Sequence, residues 1–314
     1  MVYDVIIIGA GPAGMSAGIY VCRKQLAALI LSQDIGGQTA KSWEIENYLG
    51  FSMIAGADLV QKFKEHLESF KCVTFKNRVE VKEVKKSSNK EIKKNLFAVV
   101  AGNGESFFGR TVIIASGKNP RRLNVPGEEE FRNKGVTYCA TCDAPIFAGK
   151  DVAVIGDGNA ALDAAYQLTK IARMVYLLAP GPKFRPDLDK VLLQNVAASP
   201  KFKPIFNART TVISGEKFVS GLAYQDAVSG RDEKLAVQGI FVEIGSVPVT
   251  AFAQKLVKVN RQGEIMVDKK NMTSVPGIFA AGDVTDVVEK QVVIAAGEGA
   301  KAAIGAANYL SRMK

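Results

Sequence analysis

Residues 5–14 read Val-Ile-Ile-Ile-Gly-Ala-Gly-Pro-Ala-Gly, a β-branched run that opens into a glycine-rich turn. This pattern predicts a buried strand followed by a helix over Met15 to Lys24. The first glycine permits the tight turn, the second lets the backbone approach a pyrophosphate, and the third allows the helix to pack closely on the strand. A phosphate bound here would lie at the helix N-terminus, where unpaired N–H groups favour negative charge.

The same pattern returns roughly 150 residues later, a spacing typical of a whole domain. Val152 to Ile155 lead into residues 156–161, Gly-Asp-Gly-Asn-Ala-Ala, and then into a helical stretch over Leu162 to Ala172. One glycine-rich turn is weak evidence, but two flanked copies indicate two dinucleotide-binding domains. The predicted contacts are Gly9, Gly11, Pro12, Ala13 and Gly14 in the first copy, and Gly156, Gly158, Asn159, Ala160 and Ala161 in the second.

Further strands and one long helix are predicted outside these turns. Val79 to Val84 alternate apolar and polar residues, and Leu96 to Val100 and Thr111 to Ala115 are apolar runs. After residues 277–283, a helical pattern extends from about Gln291 to Leu310. Runs of strands and helices around two nucleotide-binding turns predict an α/β fold.

The composition is that of an ordinary globular protein. The chain has 314 residues, which predicts about two domains, with 47% hydrophobic and 23% charged residues. No apolar stretch approaches the ~20 residues that a membrane-spanning helix needs. Tyr3 and Asp4 lead directly into a core strand rather than a signal sequence, so we expect a cytoplasmic protein without a membrane partner. The only histidine, His66, excludes a multi-histidine metal site and is expected to be solvated.

The formal net charge of +10 leaves several partners open. It is compatible with a nucleic-acid surface, an acidic partner, anionic cofactors or solubility alone. Six lysines lie between Lys82 and Lys94, around a turn indicated by Ser87-Ser88-Asn89. Because no aromatic residues are interleaved there, we interpret the segment as a solvated hairpin tip and expect no nucleic-acid partner.

The sequence Cys139-Ala-Thr-Cys142-Asp143 is the candidate chemical centre. A structural zinc site needs four ligands and usually two such cysteine pairs, so the spacing favours a redox disulfide and no metal. Asp143 is a candidate proton donor or acceptor, the alternative being an exposed loop residue. The remaining cysteines, Cys22 and Cys72, are expected to be buried apolar fillers.

Five segments occur in an order that resembles the low-molecular-weight thioredoxin reductase family over essentially the whole chain. They are residues 9–14, Gly36-Gly37-Gln38 with Ile45-Glu-Asn47-Tyr, residues 139–143, residues 156–161, and Gly277-Ile-Phe-Ala-Ala-Gly282-Asp283. The resemblance implies a homodimeric disulfide reductase with two Rossmann-like three-layer nucleotide-binding domains, the second inserted into the first. The FAD-binding domain would comprise residues 1–116 and 246–314, and the NAD(P)H-binding domain with the redox cysteines residues 117–245.

By the same resemblance, residues beyond the first glycine-rich turn contact FAD. They are Gly37, Gln38, Asn47, Gly117, Gly282, Asp283, Gln291 and Val292. The catalytic residues would be Cys139, Cys142 and Asp143, and either cysteine fits the role of attacking the partner's disulfide.

The carboxy-terminal half is also similar to the flavoprotein subunit of alkyl hydroperoxide reductase, at residues 145–147 and 298–302. That subunit carries extra amino-terminal thioredoxin-like domains. Since the FAD strand begins at residue 2, we expect a separate thioredoxin-like or glutaredoxin-like redox protein to take the electrons. Pro145 and Ile146 replace two aromatic residues that help to dock thioredoxin in thioredoxin reductases, which leaves a peroxiredoxin or glutaredoxin-like partner as the alternative.

The resemblance implies NADPH or NADH as the electron donor. A carboxylate after the second strand of a dinucleotide fold takes the ribose 2′-OH of NADH, and arginines there take the NADPH phosphate. Here the strand ends at Ala179, without the His-Arg-Arg of NADPH-dependent members and without the glutamate of the NADH-dependent relative. Lys183 and Arg185 follow and slightly favour NADPH, the alternative being that both are surface charges. Reduction of the flavin by ferredoxin is a further alternative.

Overall fold

The computed structural model describes residues 1–42, 44–87 and 96–313. The predicted hairpin tip at Ser88 and Asn89 therefore lies outside the described residues, together with Lys90, Lys93 and Lys94. His66 is exposed, as expected for its polar helix surface.

Strands and helices are given in chain order. The strands are β1 (Val2–Ile8), β2 (Ala28–Ser32), β3 (Glu44–Ile45), β4 (Ile54–Ala55), β5 (Val73–Asn77), β6 (Val81–Lys86), β7 (Phe97–Ala101), β8 (Ser106–Ile114), β9 (Lys118–Pro120), β10 (Val136–Thr137), β11 (Asp151–Ile155), β12 (Met174–Leu178), β13 (Phe202–Ile205), β14 (Ala208–Gly215), β15 (Val219–Asp226), β16 (Asp232–Leu235), β17 (Gly239–Val242), β18 (Ser246–Pro248) and β19 (Ile278–Ala280). The helices are α1 (Pro12–Arg23), α2 (Gly56–Glu68), α3 (Ala140–Asp143), α4 (Asn159–Thr169), α5 (Lys190–Ala197) and α6 (Val292–Ser311).

The chain divides into two compact units. Unit 1 comprises Met1–Lys41, Asn47–Asn119 and Val247–Lys314, and unit 2 comprises Ser42–Glu46 and Pro120–Ser246. The long stretch of unit 2 therefore lies between two stretches of unit 1 in the sequence.

Unit 1 is built on a sheet in the order β5-β2-β1-β8-β7-β6, with β19 also pairing with β8. Pairing is parallel from β5 through β2 and β1 to β8, and between β8 and β19, whereas β8 with β7 and β7 with β6 pair in antiparallel fashion. Alternate residues of β1 supply both faces: Val5 and Ile7 join the core under α1 and α6, and Ile6 and Ile8 join the core on the opposite face. This explains why the run at residues 5–8 is continuously apolar.

Unit 2 has three layers around a parallel sheet in the order β10-β17-β11-β12-β13. Val152 and Val154 of β11 face the core that contains α4, whereas Ala153 and Ile155 face the other core. That second core is covered by the antiparallel sheet β14-β15-β16. In both units the strand that leads into the glycine-rich turn has a strand on each side in a layered sheet, and the α/β fold class predicted from the sequence is confirmed.

The predicted elements are found with small shifts at their ends. The helix expected from Leu162 begins at Asn159, because the turn closes immediately after Gly158, which is the N-cap. The strand expected over Thr111 to Ala115 extends back to Ser106, where it pairs with β7. Boundaries of this kind depend on pairing partners rather than on local pattern.

The expectation that Cys22 and Cys72 are separate apolar fillers is wrong. The structure joins them in a disulfide, with Cα atoms 5.7 Å apart, although 50 positions separate them in sequence. The pairing of β2 with β5 brings the start of β5 next to the end of α1. No local pattern reveals such proximity.

Two further properties concern the described residues alone. None of their helices is long and apolar enough to cross a membrane. Nor do they contain a group of three or more His, Cys, Asp or Glu side chains that could hold a metal ion.

A buried polar network ties α6 to the sheet of unit 1. Asn271 is fully buried, and its Nδ2 donates to the Ala280 carbonyl in β19 at 2.9 Å and to the Glu298 carboxylate at 2.7 Å. Glu298, itself buried on α6, also pairs with Lys301 at 2.9 Å. Each side chain in this network makes a hydrogen bond or an ion pair with another member, so removing one leaves a buried polar group without that partner.

We expect Glu298→Ala to lower the free energy of unfolding by about 2–3 kcal/mol, because it leaves the buried Asn271 amide with an unsatisfied donor. Glu298→Gln retains an oxygen acceptor and should cost less than about 1 kcal/mol. Urea unfolding followed by far-ultraviolet circular dichroism measures both. The exposed Glu289→Ala is the control, and equal stability of Glu298→Ala and this control would contradict the role of the network.

Candidate active site

The first glycine-rich turn is shaped by close approaches between backbones. A Cβ on Gly9, where φ is +107°, would lie 2.2 Å from the Ala115 carbonyl oxygen, and a Cβ on Gly14 would lie 1.9 Å from the Gly9 oxygen. A Cβ on Gly11, by contrast, would meet no atom within 4 Å. Gly11 is the N-cap of α1 and Pro12 is its first residue, with no side chain capping the helix. The turn therefore offers open space over uncapped N–H groups, which fits a pyrophosphate.

Other residues predicted to contact FAD gather around the same turn in unit 1. A Cβ on Gly37 would approach the Gly11 Cα at 3.8 Å, and a Cβ on Gly282 would lie 3.1 Å from the Ala13 Cβ. Gln38 Nε2 donates to the Lys118 carbonyl at 3.2 Å. The structure thus brings loops from distant parts of the sequence to the N-terminal turn of α1.

The predicted flavin contacts Asn47 and Gln291 are brought together, although 244 positions separate them. Asn47 Nδ2 donates to Gln291 Oε1 at 3.1 Å. Gln291 is the N-cap of α6, which begins at Val292. Gly117, with φ of +67° and open space at its Cβ position, accepts a hydrogen bond from Val249 N at 3.0 Å.

Asp283 lies in a short 3₁₀ turn, Gly282–Val284, that follows β19. Burial raises the pKa of this carboxyl above its usual value, while the nearby ammonium groups of Lys118 and Lys290 oppose the rise. A carboxyl with a raised pKa at a cofactor site is suited to hydrogen bonding with a polar portion of the ligand.

The second glycine-rich turn, in unit 2, repeats the first with one change. A Cβ on Gly156 would lie 2.3 Å from the Glu243 carbonyl oxygen, whereas Gly158 is open within 4 Å. The third small residue is Ala161, fully buried and packed against Gly156. Asn159 is exposed, and its side-chain oxygen accepts from Asp189 N at 2.9 Å, so it also fixes the start of α5. Ala160 is exposed at the mouth of the turn.

Arg185 is engaged by carboxylates of its own loop. Its guanidinium forms a two-point pair with Asp187, at 3.0 and 2.6 Å, and lies 3.7 Å from Asp157 in the glycine-rich turn. The hydrogen bond with Asp187 raises the pKa of Arg185 and lowers that of Asp187. Lys183 is exposed two positions earlier. The arginine predicted to take an NADPH phosphate is therefore paired with an acidic side chain.

Cys139 and Cys142 form a disulfide in unit 2, with Cα atoms 5.3 Å apart. Both residues are partly exposed. Cys139 follows β10 in extended conformation, and α3 carries Cys142 and Asp143. The chain then enters a 3₁₀ turn ending at Phe147, which is buried edge-to-face against Phe241 with ring centroids 5.1 Å apart. This aromatic contact anchors the segment that presents the disulfide.

Thr137 links the disulfide segment to Asp143. The buried Thr137 hydroxyl donates to the Asp143 carboxylate, and its oxygen accepts from Cys139 N at 3.3 Å. One side chain thereby fixes both the candidate acid–base group and the backbone of a redox cysteine. Thr137 is therefore a positioning residue for the candidate reacting groups, Cys139 and Asp143, and not itself one of them.

The neighbouring Tyr138 is held by a buried carboxylate. Its hydroxyl donates to Glu128 at 2.8 Å, and Glu128 also accepts from Leu123 N at 2.9 Å and Asn124 N at 2.7 Å. Burial and the Glu128 carboxylate raise the pKa of Tyr138 well above its usual value. The residue before Cys139 is therefore locked into the loop that begins unit 2.

A family model described as pyridine nucleotide-disulphide oxidoreductase matches residues 3–299. The chain belongs to this family. Enzymes of the family are FAD-dependent oxidoreductases that use NAD(P)H, so the enzyme class and the cofactors predicted from the sequence are confirmed.

Solved structures of thioredoxin reductases share the fold of this pyridine nucleotide-disulphide oxidoreductase. The enzyme from Streptococcus pyogenes MGAS5005 is 34% identical, with a TM-score of 0.89 and 99% of each chain covered. Thioredoxin reductase from Giardia duodenalis is 30% identical, with a TM-score of 0.87 and the same coverage. The resemblance to thioredoxin reductases is thus confirmed.

Curated relatives carry other names. A protein named NADH dehydrogenase from Bacillus subtilis (strain 168) is 41% identical over 310 residues, and a subunit of alkyl hydroperoxide reductase from Escherichia coli (strain K12) is 40% identical over 313 residues. In both cases the match covers 99% of this chain and 59% of the relative. The chain thus spans about three fifths of the length of these relatives.

Sequence reasoning missed Thr137, Tyr138 and Glu128. The signal available for Thr137 was its hydroxyl two positions before the first cysteine of the pair. Glu128 had no signal, because its role arises only when the loop folds back onto Tyr138.

We expect Gly11→Ala to fold normally but to bind FAD about tenfold more weakly or worse, a change of about 1.4 kcal/mol, because the new methyl group occupies the space for the pyrophosphate. Gly158→Ala is the matched control, with equally open surroundings in unit 2. It should keep FAD and weaken the binding of the nicotinamide nucleotide instead. Fluorescence titration of the apoprotein with FAD, and of the holoprotein with nucleotide, separates the two, and loss of FAD from Gly158→Ala would overturn the assignment.

For Thr137→Val we expect about a tenfold fall in kcat for disulfide reduction, with little change in KM, because Asp143 and Cys139 lose the group that orients them. Thr137→Ser keeps the hydroxyl and should recover most of the activity. Steady-state kinetics with a protein disulfide substrate measures both. A purely structural role for Thr137 predicts that both variants fail in proportion to their thermal midpoints, so those midpoints are recorded in parallel.

Proposed function

We propose that the chain is a disulfide reductase that passes electrons from NADH, through FAD and the Cys139–Cys142 disulfide, to the disulfide of a separate thioredoxin-like protein. The observation that carries this proposal is the partly exposed Cys139–Cys142 disulfide with Asp143 held beside it by Thr137. A buried structural disulfide would not need an oriented carboxylate next to it.

Each part of the site has a chemical role in this proposal. FAD, held by the first glycine-rich turn, supplies the chemistry of accepting a hydride and delivering its electron pair to the disulfide. Once reduced, one of the two cysteines attacks the partner's disulfide as a thiolate, and the other thiol resolves the mixed disulfide. Asp143 takes and returns the proton that this exchange releases and consumes.

Two observations support NADH as the electron donor. Arg185 is already paired with Asp187 and Asp157, so a nucleotide 2′-phosphate would have to displace a two-point ion pair and approach two carboxylates. One relative carries the name NADH dehydrogenase. Lys183 remains as an exposed cation for NADPH, which makes NADPH the alternative donor.

A thioredoxin-like partner is supported by the solved thioredoxin reductases and by the alkyl hydroperoxide reductase subunits among the relatives. Pro145 is exposed beside the disulfide and Ile146 is partly buried, so the docking surface near Cys142 is aliphatic rather than aromatic. This favours a glutaredoxin-like or peroxiredoxin-reducing protein as the second candidate partner. We also propose a homodimer, in keeping with exposed apolar side chains of unit 1 such as Leu49 and Val288.

Anaerobic titration tests the proposed electron path. We expect the FAD-bound protein to take up four electrons from NADH, two for the flavin and two for the disulfide. The Cys139→Ser, Cys142→Ser variant should take up only two. Equal uptake by both proteins would refute the redox role of the pair.

The same titration with NADPH compares the donors, and Arg185→Ala with Asp187→Ala provides matched variants. If Asp187 excludes a 2′-phosphate, steady-state kinetics should show that Asp187→Ala lowers the KM for NADPH and leaves the KM for NADH unchanged. Failure of both nucleotides to bleach the flavin would instead support ferredoxin as the donor.

A further inference from the structure

We propose that Cys22 and Cys72 form a second redox couple. A dithiol in solution reduces it by attacking Cys72, and the oxidised pair restrains α1, the helix proposed to bind FAD. The inference goes beyond the proposed reductase activity, because this pair lies in unit 1 and has no part in the electron path described above.

The pair joins two elements that matter to the FAD site. Cys22 lies in the last turn of α1, whose first turn carries the pyrophosphate-binding glycines. Cys72 immediately precedes β5, and its carbonyl accepts a hydrogen bond from Ala28 N at 3.1 Å, next to the start of β2. The disulfide therefore fastens the far end of α1 to the edge of the sheet on which that helix packs.

The backbone around Cys22 is preset for this contact. The Cys22 carbonyl accepts from Gln25 N at 2.8 Å, and Gln25 adopts the left-handed conformation with φ of +56° that ends the helix. The Cα separation of 5.7 Å lies within the usual range for a disulfide. The Cys22 carbonyl is thus held by its own segment, and the Cys72 carbonyl is held by Ala28 of β2.

The segment between the two cysteines contains residues assigned to FAD. Gly37, Gln38 and Asn47 all lie within it, as does α2. Closing this 50-residue segment limits the freedom of those residues whenever unit 1 opens locally. Opening the disulfide releases that restraint without changing any group that contacts the cofactor.

Solvent access differs between the two cysteines. Cys22 is only 5% exposed, whereas Cys72 is partly exposed. An incoming thiolate therefore reaches Cys72 more readily than Cys22.

Basic residues adjoin both cysteines in the chain. Arg23 and Lys24 follow Cys22, and Lys71 precedes Cys72, and all three are exposed. Neighbouring cations stabilise a thiolate, which favours exchange at this pair.

The exchange balances without an added oxidant. One thiolate of a dithiol attacks the Cys72 Sγ, which breaks the Cys22–Cys72 bond, and the Cys22 thiolate that leaves takes up a proton. The second thiol of the dithiol then attacks the mixed disulfide and releases Cys72. The dithiol is oxidised to a disulfide while Cys22 and Cys72 become thiols, and a disulfide in solution reverses the sequence.

Thiol counting in the FAD-bound Cys139→Ser, Cys142→Ser variant tests the proposal, since only Cys22 and Cys72 remain. After equilibration with oxidised glutathione and desalting, we expect no free thiol and an intact mass lower by two hydrogens. Excess NADH under anaerobic conditions should expose no thiol, and dithiothreitol should expose both. Glutathione adducts in place of the internal disulfide, free thiols that persist, or reduction by NADH would each overturn the proposal.

The site of attack and the clamping are measured separately. Adding Cys22→Ser or Cys72→Ser to the same background leaves one cysteine, and the protein that retains Cys72 should react with a thiol reagent at least about tenfold faster than the one that retains Cys22. In the parent variant, dithiothreitol should lower the thermal midpoint for FAD release by about 5–10 °C. Equal reaction rates would refute attack at Cys72, and an unchanged midpoint would refute the clamp.

Discussion

The architecture of unit 1 depends on how closely the first turn of α1 approaches its neighbours. A Cβ on Gly9 would collide with Ala115, one on Gly14 with Gly9, and one on Gly299 with the Ala13 carbonyl, the last two at 1.9 and 2.0 Å. Strand β1, strand β8 and helix α6 therefore all meet the same short turn. Because interiors are densely packed, a methyl group at any of these contacts would displace a whole element rather than one side chain.

The close backbone contacts around this turn also position the residues predicted to contact FAD. With α6 seated against Ala13, its N-cap Gln291 lies where Asn47 can donate to it. Gly282 likewise packs against Ala13, which fixes the turn that carries Asp283. Asn47 and Gln291, which lie 244 positions apart, meet because small residues let the backbones approach first. In the second glycine-rich turn the third small residue is Ala161 rather than glycine, and a Cβ on Gly156 would lie 3.0 Å from the Ala161 Cβ.

Sequence reasoning succeeded where a local pattern encodes a local constraint. The run at residues 5–8 predicted a buried strand, and the glycine spacing predicted the two βα turns, because in each case the pattern and the structure it requires lie within a few residues of each other. Sequence reasoning failed where two contacting residues are distant in the sequence, or where their contact depends on side-chain geometry. The Cys22–Cys72 disulfide follows from the pairing of β2 with β5, and the pairing of Arg185 with Asp187 follows from how the loop after β12 folds. Thr137 lies between these cases, because its sequence position was informative but the orientation of its hydroxyl was not.

The two disulfides differ in the size of the ring that each closes, and this difference separates their roles. In the loop-closure model, restricting the unfolded chain over about 50 residues stabilises the folded state by about 4 kcal/mol, whereas a ring with a separation of three contributes less than about 2 kcal/mol. In the proposed reaction, opening the Cys139–Cys142 ring would therefore disturb the fold little, because the buried Phe147 and the Thr137 hydrogen bonds hold the segment on both sides of the cysteines. The Cys22–Cys72 ring has the opposite character, since most of its effect is on stability. The disulfide that the proposed reaction breaks repeatedly, Cys139–Cys142, is therefore the one whose opening costs less folding stability.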